Sequence, residues 1–119
     1  MHAVPPPPPL PETVIDLRAG GPERVVNDEV RAYQAVPISF EATAADELLL
    51  WLTDAEGLLV IDLEGPSGPR WLAGARPGPD GLRIRLTETG VHRVHVVMTG
   101  DAARRGRAAR FLLRLKLLR

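Results

Sequence analysis

The residues best suited to chemistry in this 119-residue chain are arginines gathered in one short stretch. From Met98 to Phe111 the sequence reads MTGDAARRGRAARF, which sets Arg104, Arg105, Arg107 and Arg110 against a single acid, Asp101. Guanidinium groups meet carboxylates and phosphates through paired hydrogen bonds, so a loop of this composition is suited to receive an anion from a partner. Gly100, Gly106 and the alanines offer it only methyl groups to bury, which argues against a purely packing role. The plainer reading is a solvated loop in an arginine-rich chain, because fourteen of the fifteen bases are Arg throughout.

Other constellations carry less. His92 and His95 stand three apart in an alternating segment, so a strand would point them to opposite faces and not toward one metal. His92 reads as a core-edge ring and His95 as a surface one. Ser67 lies in the turn Gly65-Pro66-Ser67-Gly68 without the spacing of a nucleophile elbow, and the loop Gly74 to Gly81 lacks the Lys and hydroxyl of a phosphate-binding loop. Asp62 and Glu64 share a strand face and can share a proton or bind calcium, but two carboxylates near a turn are more often solvated. With no nucleophile, dyad or ligand cluster, the expectation is a non-enzymatic protein with no cofactor and no metal site. Cysteine is absent, so disulfides and Cys-ligated zinc are excluded.

Net charge is zero, yet the charges are unevenly spread along the chain. Residues 1–64 hold twelve acids and three arginines, a net of −9, and residues 65–119 hold three acids and twelve bases, a net of +9. Strand order decides whether this sequence dipole survives in space. Seven bases and no acid follow Asp101, which makes nucleic acid a rival partner. Phe111 is the one aromatic residue there and it is patterned inward, so stacking groups are scarce and nucleic acid is the weaker alternative.

The elements that must position these residues read as strands. Residues 1–12 form a Pro-rich tail, with VPPPPPLP at Val4 to Pro11 suited to extended polyproline II, and residues 13–119 form one domain. No apolar run reaches the roughly 18–20 residues of a membrane span, and no apolar h-region follows Met1. A Pro-rich spacer at this position suits a domain whose true start lies upstream. Thr13–Leu17 reads as a short strand, and period-two alternation then dominates: Val30–Ala42 with Pro37 interrupting, Leu82–Leu86, His92–Met98 and Ala109–Leu117. Helix is a rival at LLRLKLL, but strand parity is cleaner. Leu48–Leu52 suits a strand buried on both faces, and with Leu58–Leu63 it is expected to form a hairpin. Ala42–Glu47 reads as a turn, and Trp71–Leu72 as an isolated bridge. Seven or eight short strands between turn signals predict an all-β, single antiparallel β-sandwich, with the arginine run as a hairpin tip.

Three landmarks together carry a family resemblance. Tyr33 heads a strand leading through Ile38 and Phe40 to the turn AADE and the run LLLWL; Thr89, Gly90, His92, Val94 and Val96 form a second strand signature; DAARRGRAARFLLRL follows. Over roughly Glu29 to Leu118 the chain resembles the periplasmic inhibitor of g-type lysozyme family, a small β-sandwich akin to bacterial pre-peptidase C-terminal domains. His92 and Phe111 stand where that family usually has Tyr, and Thr99 and Gly100 occupy a region where it tends to carry a further Arg. The resemblance implies a periplasmic or secreted protein whose partner is a g-type lysozyme. It further implies that Arg104 enters the enzyme's acidic cleft, with Arg105, Arg107 and Asp101 beside it. An accessory β-sandwich domain of an envelope protein is the other reading.

Overall fold

Alternation sorts the residues of the strand Gly90–Met98 to two sides. His92, Val94, Val96 and Met98 are buried, while Arg93, His95 and Val97 are half-exposed on the opposite face. The computed structural model describes residues 10–68 and 70–119, so most of the proline run lies outside the described residues. In chain order the strands are β1 (Thr13–Val14), β2 (Arg24–Arg31), β3 (Ala35–Ala42), β4 (Glu47–Asp54), β5 (Leu59–Glu64), β6 (Arg70–Ala75), β7 (Leu82–Arg85), β8 (Gly90–Met98) and β9 (Ala108–Leu118). A short helix, α1 (Gly100–Arg104), joins the last two.

Two sheets face each other across the core, one ordered β1-β3-β8-β5-β6 and the other β2-β9-β4-β7. Neighbours are antiparallel except β1, which lies parallel to β3. The all-β sandwich expected from the sequence is therefore present, with one parallel pair at its edge. The long strand β9 is the spine of the second sheet, paired with β2 from Arg24↔Leu115 to Arg31↔Ala108 and with β4 from Glu47↔Leu118 to Asp54↔Phe111. Its inward residues Phe111, Leu113, Leu115 and Leu117 meet Leu48 and Leu50 of β4 and Ile38, Phe40, Ile61 and Val96 of the facing sheet in one core cluster. Each fully buried Leu among them contributes about 1.5–3 kcal/mol.

Several sequence readings are corrected by pairing. Only β5 and β6 are consecutive strands of one sheet from β2 onward; every other connection from there crosses between sheets. So β4 and β5 do not form a hairpin, and neither do β8 and β9. The β4 strand is not buried on both faces, because Leu49 and Trp51 stay half-exposed on its outer side. The Val30–Ala42 alternation breaks at Ala32, whose φ of 52° turns the chain. Pro37 sits inside β3 instead: the Ser39 carbonyl accepts from Ile15 N–H, so Pro37, of the same parity, turns its donorless nitrogen toward that edge and not toward β8. Trp71–Leu72 belongs to a full edge strand, β6, which pairs with β5 through a shifted register. Asp62 is buried, and its carboxylate accepts from Gly74 N–H at 2.7 Å, so it is not a solvated acid.

The outer face of the first sheet is laced by Glu64 to His95 at 2.9 Å and by Glu12 to Arg93 at 2.6 Å. The hydrogen bond and charge of Glu12 raise the Arg93 pKa above its ordinary value. Leu10 packs against the core cluster. The two histidines do point oppositely, but His92 is no core-edge ring: it has no exposed surface and stacks on Phe40 with ring centroids 5.6 Å apart. Its Nδ1–H donates to the Gly90 carbonyl at 3.0 Å, and its buried Nε2 has no partner among the described residues. An unsatisfied buried acceptor costs about 1–3 kcal/mol. Replacing His92 by Phe keeps the stack and removes that acceptor at the loss of one hydrogen bond. Equilibrium unfolding is expected to find H92F at least as stable as the native chain and H92A less stable by about 2–4 kcal/mol; a comparable loss in both would show that Nε2 is satisfied.

Candidate functional site

A five-residue helix cannot persist by itself, because nucleation costs more than one turn of hydrogen bonds returns. The chain after β8 holds such a helix by two devices. Ala102 and Ala103 are 5% and 3% exposed, so their methyl groups plug the end of the core. Gly106, with φ of 66°, closes the helix: its N–H donates to the Ala103 carbonyl at 3.0 Å and the Arg107 N–H to the Ala102 carbonyl at 3.2 Å. That pair of bonds is a Schellman motif, which needs a left-handed residue at Gly106. The alanines thus do pack, contrary to the reading of the run as having little to bury. The arginine run is a capped crossover between sheets and not a hairpin tip.

This anchoring turns the charged residues outward. Arg104 donates to Asp101 at 3.2 Å, Arg105 lies 3.6 Å from the same carboxylate, and both arginine side chains are 69% exposed. Pairs so exposed contribute about 0–1 kcal/mol, so a partner's carboxylate can replace Asp101 at little cost. Arg107 takes a different path and pairs with Glu56 on the β4–β5 turn. Of the four residues singled out in the sequence, the structure brings Asp101, Arg104 and Arg105 together and holds Arg107 apart as a brace. Arg110 lies in β9, by a shallow cleft with Asp28, Thr53 and Ala55.

The brace rests on a turn built by Asp54, whose side chain has no exposed surface. Its Oδ2 accepts from Leu58 N–H at 2.6 Å and Leu59 N–H at 3.2 Å, and its Oδ1 from Arg76 at 3.3 Å. Arg76 in turn donates to the carbonyls of Gly57 at 2.8 Å and Leu59 at 2.9 Å. Gly57 has φ of 69°, and a Cβ there would lie 2.9 Å from the Arg76 guanidinium. The Thr99 N–H donates to the Leu58 carbonyl at 2.9 Å and the Ala32 N–H to the Arg107 carbonyl at 2.8 Å, which ties three connections into one surface.

Tyr33 stands on the third of these connections, 68% exposed beside Ala32. The sequence reading placed it at the head of a strand. Its signal was the failure of alternation at Gln34, next to the only Tyr of an aromatic-poor chain. Nothing local in the sequence links Glu56, Arg76 and Asp54 to the arginine run. Among the described residues, no three acids or histidines are grouped to hold a metal ion.

Folding also dissolves the charge asymmetry of the two sequence halves. Glu12–Arg93, Glu23–Arg114, Glu47–Arg83, Asp54–Arg76 and Glu56–Arg107 each join an acid of the first half to an arginine of the second. At this end Arg76 pairs with Asp54, Arg107 with Glu56, and Arg104 and Arg105 with Asp101. What distinguishes the surface is therefore the accessibility of the Arg104–Arg105 pair.

An all-β sandwich of this topology, with a capped crossover carrying exposed arginines, defines a scaffold that presents loops at one end. The same fold is found in periplasmic lysozyme inhibitors of g-type lysozyme. The chain is similar to the inhibitor structures from Aeromonas hydrophila, Salmonella Typhimurium and, as a mutant, Escherichia coli, at 18%, 15% and 16% sequence identity. Each likeness has a TM-score of 0.70 and covers 89% of this chain and 96% of the inhibitor. No protein-family model matches the chain, and no curated protein matches it significantly.

If Asp54 holds this end together, Asp54→Ala leaves two backbone donors and a guanidinium without their acceptor. Urea unfolding is expected to show a loss of about 2–4 kcal/mol, against about 1 kcal/mol for Gly106→Ala, which strains one left-handed residue. A loss below about 0.5 kcal/mol in D54A would remove Asp54 from that role.

Proposed function

We propose that the protein is a non-enzymatic inhibitor of a g-type lysozyme and acts in the periplasm. The observation that carries this reading is the fold it shares with three such inhibitors over nearly their whole length. The accessible arginines at one end of the scaffold support it chemically. Muramidases cleave glycosidic bonds with carboxyl groups in a cleft, one of them kept protonated as the general acid. A guanidinium lodged beside that acid favours its ionised form and occupies the volume the sugar needs. One inserted side chain thereby blocks both substrate and proton delivery.

Arg104 is the inserted residue. It exchanges Asp101 for a carboxylate of the enzyme, while Arg105 keeps Asp101 and stops that acid from repelling the cleft. Arg107, held by Glu56, sets the height of the crossover, and Tyr33 offers a rigid aromatic contact at the flank. A desolvated Arg at the centre of an interface is a typical carrier of binding energy.

Inhibition of a g-type lysozyme by purified variants tests the assignment. Arg104→Ala is expected to raise the concentration needed for half-inhibition by roughly thirtyfold, about 2 kcal/mol, with smaller effects from Arg105→Ala. An R104A protein that inhibits at unchanged concentration would sink the assignment.

A further inference from the structure

The outer face of the second sheet has a composition that the loop-end surface does not use. Its bases are Arg31 on β2, Arg83 and Arg85 on β7, and Arg110, Arg114 and Lys116 on β9. Arg31 pairs with Glu29 at 3.2 Å, Arg83 with Glu47 at 3.4 Å and Arg114 with Glu23 at 3.5 Å. Arg85, Arg110 and Lys116 form no ion pair among the described residues, the acids opposite the two arginines, Glu47 and Glu29, being taken by Arg83 and Arg31. Between these bases lie Leu49, Leu112 and Leu118, each half-buried, and Val25, which is 49% exposed.

The opposite face of the molecule is composed differently. There β3 and β5 turn Glu41 and Glu64 outward beside Arg93 and His95 of β8, while Asp62 is buried against the Gly74 N–H. Interleaved strands cancel the dipole between sequence halves, yet the outer face of the second sheet keeps more bases than acids among the described residues.

Trp51, at the middle of the basic face, discriminates between anionic partners. The Arg114 guanidinium carbon lies 4.6 Å from its ring centroid on the β9 side. From the β7 side Gly81 comes so close that a Cβ there would sit 2.6 Å from the indole nitrogen. The indole is thus crowded from both neighbouring strands, which reduces the ring surface on which a nucleic-acid base can stack. What remains is a flat sheet with scattered bases on long apolar stems and leucines between them.

We propose that this face docks on an anionic phospholipid surface. Headgroup phosphates move laterally to meet each unpaired base, and the stems of Arg and Lys lie along the leucines while their charges reach the headgroups. The outer face of the first sheet points away from the membrane, and the loop end that carries Arg104 stands at the rim, open to solution. The proposal is independent of inhibition, since it uses none of the residues of that surface.

Co-sedimentation of the full chain with vesicles at low salt tests it, using phosphatidylcholine alone and phosphatidylcholine with about a third phosphatidylglycerol. Binding is expected only to the anionic vesicles and is expected to weaken as salt rises. Each base near such a surface contributes about fivefold, so Arg110→Gln lowers partitioning by that factor and the triple change of Arg85, Arg110 and Lys116 to Gln by roughly a hundredfold. These side chains lack ion-pair partners, so circular dichroism should find the variants folded. Arg104→Ala is expected to keep full vesicle binding, which separates this proposal from the inhibitory one. Absence of binding to anionic vesicles, a triple variant that binds as well as the native chain, or tighter binding to a single-stranded oligodeoxynucleotide than to the vesicles would overturn it.

Discussion

The carboxylate of Asp54 has no exposed surface, and the contacts at the loop end run outward from it. It takes the amides of Leu58 and Leu59 and the guanidinium of Arg76, which turns the chain from one sheet to the other within a few residues. That turn presents Glu56, Glu56 holds Arg107, and the Arg107 carbonyl holds Ala32. Buried acceptors with several donors are demanding, because each orphan left behind costs more than the bond returned on formation. The same demand makes the arrangement specific. Three connections that are far apart in sequence become one hydrogen-bonded rim, on which Arg104 and Arg105 are displayed.

Charge follows a related logic. A chain with a net of −9 in one part and +9 in the other would carry a strong dipole if its halves packed as blocks. Sheet order prevents this by seating β8 between β3 and β5 and β9 between β2 and β4. Acids and arginines then meet across strands, and most positive charge is spent inside the molecule's own ion pairs. At the loop end, Arg104 and Arg105 differ from Arg76 and Arg107 because they share one acid on an exposed helix turn. Scarcity of partners, and not abundance of charge, is what makes them available.

Much of the fold was legible in the sequence because strand periodicity depends only on which residues are apolar. Alternation in Leu82–Leu86, His92–Met98 and Ala109–Leu117 identified β7, β8 and β9 with the correct inward faces. Parity says which way a side chain points, however, and nothing about which strand lies alongside. The β4–β5 and β8–β9 segments therefore looked like hairpins when they are crossovers. The short helix was hidden for a different reason: five residues are too few for a helical period, and Ala102 and Ala103 look inert until the open end of a core is seen beneath them. The arginine pair could be named from composition alone, whereas Tyr33, Glu56 and Asp54 joined the site only through contacts between distant turns.

The central claim is that one rim of the sandwich, made by the turns at residues 32–34 and 55–58 and the crossover at 99–107, is the surface that meets a g-type lysozyme. Amide hydrogen exchange of the full chain with and without the enzyme addresses this directly. Added protection is expected in those three segments and nowhere on the outer faces of the sheets. Protection confined to a sheet face, or none in the crossover from Gly100 to Arg107, would contradict the account.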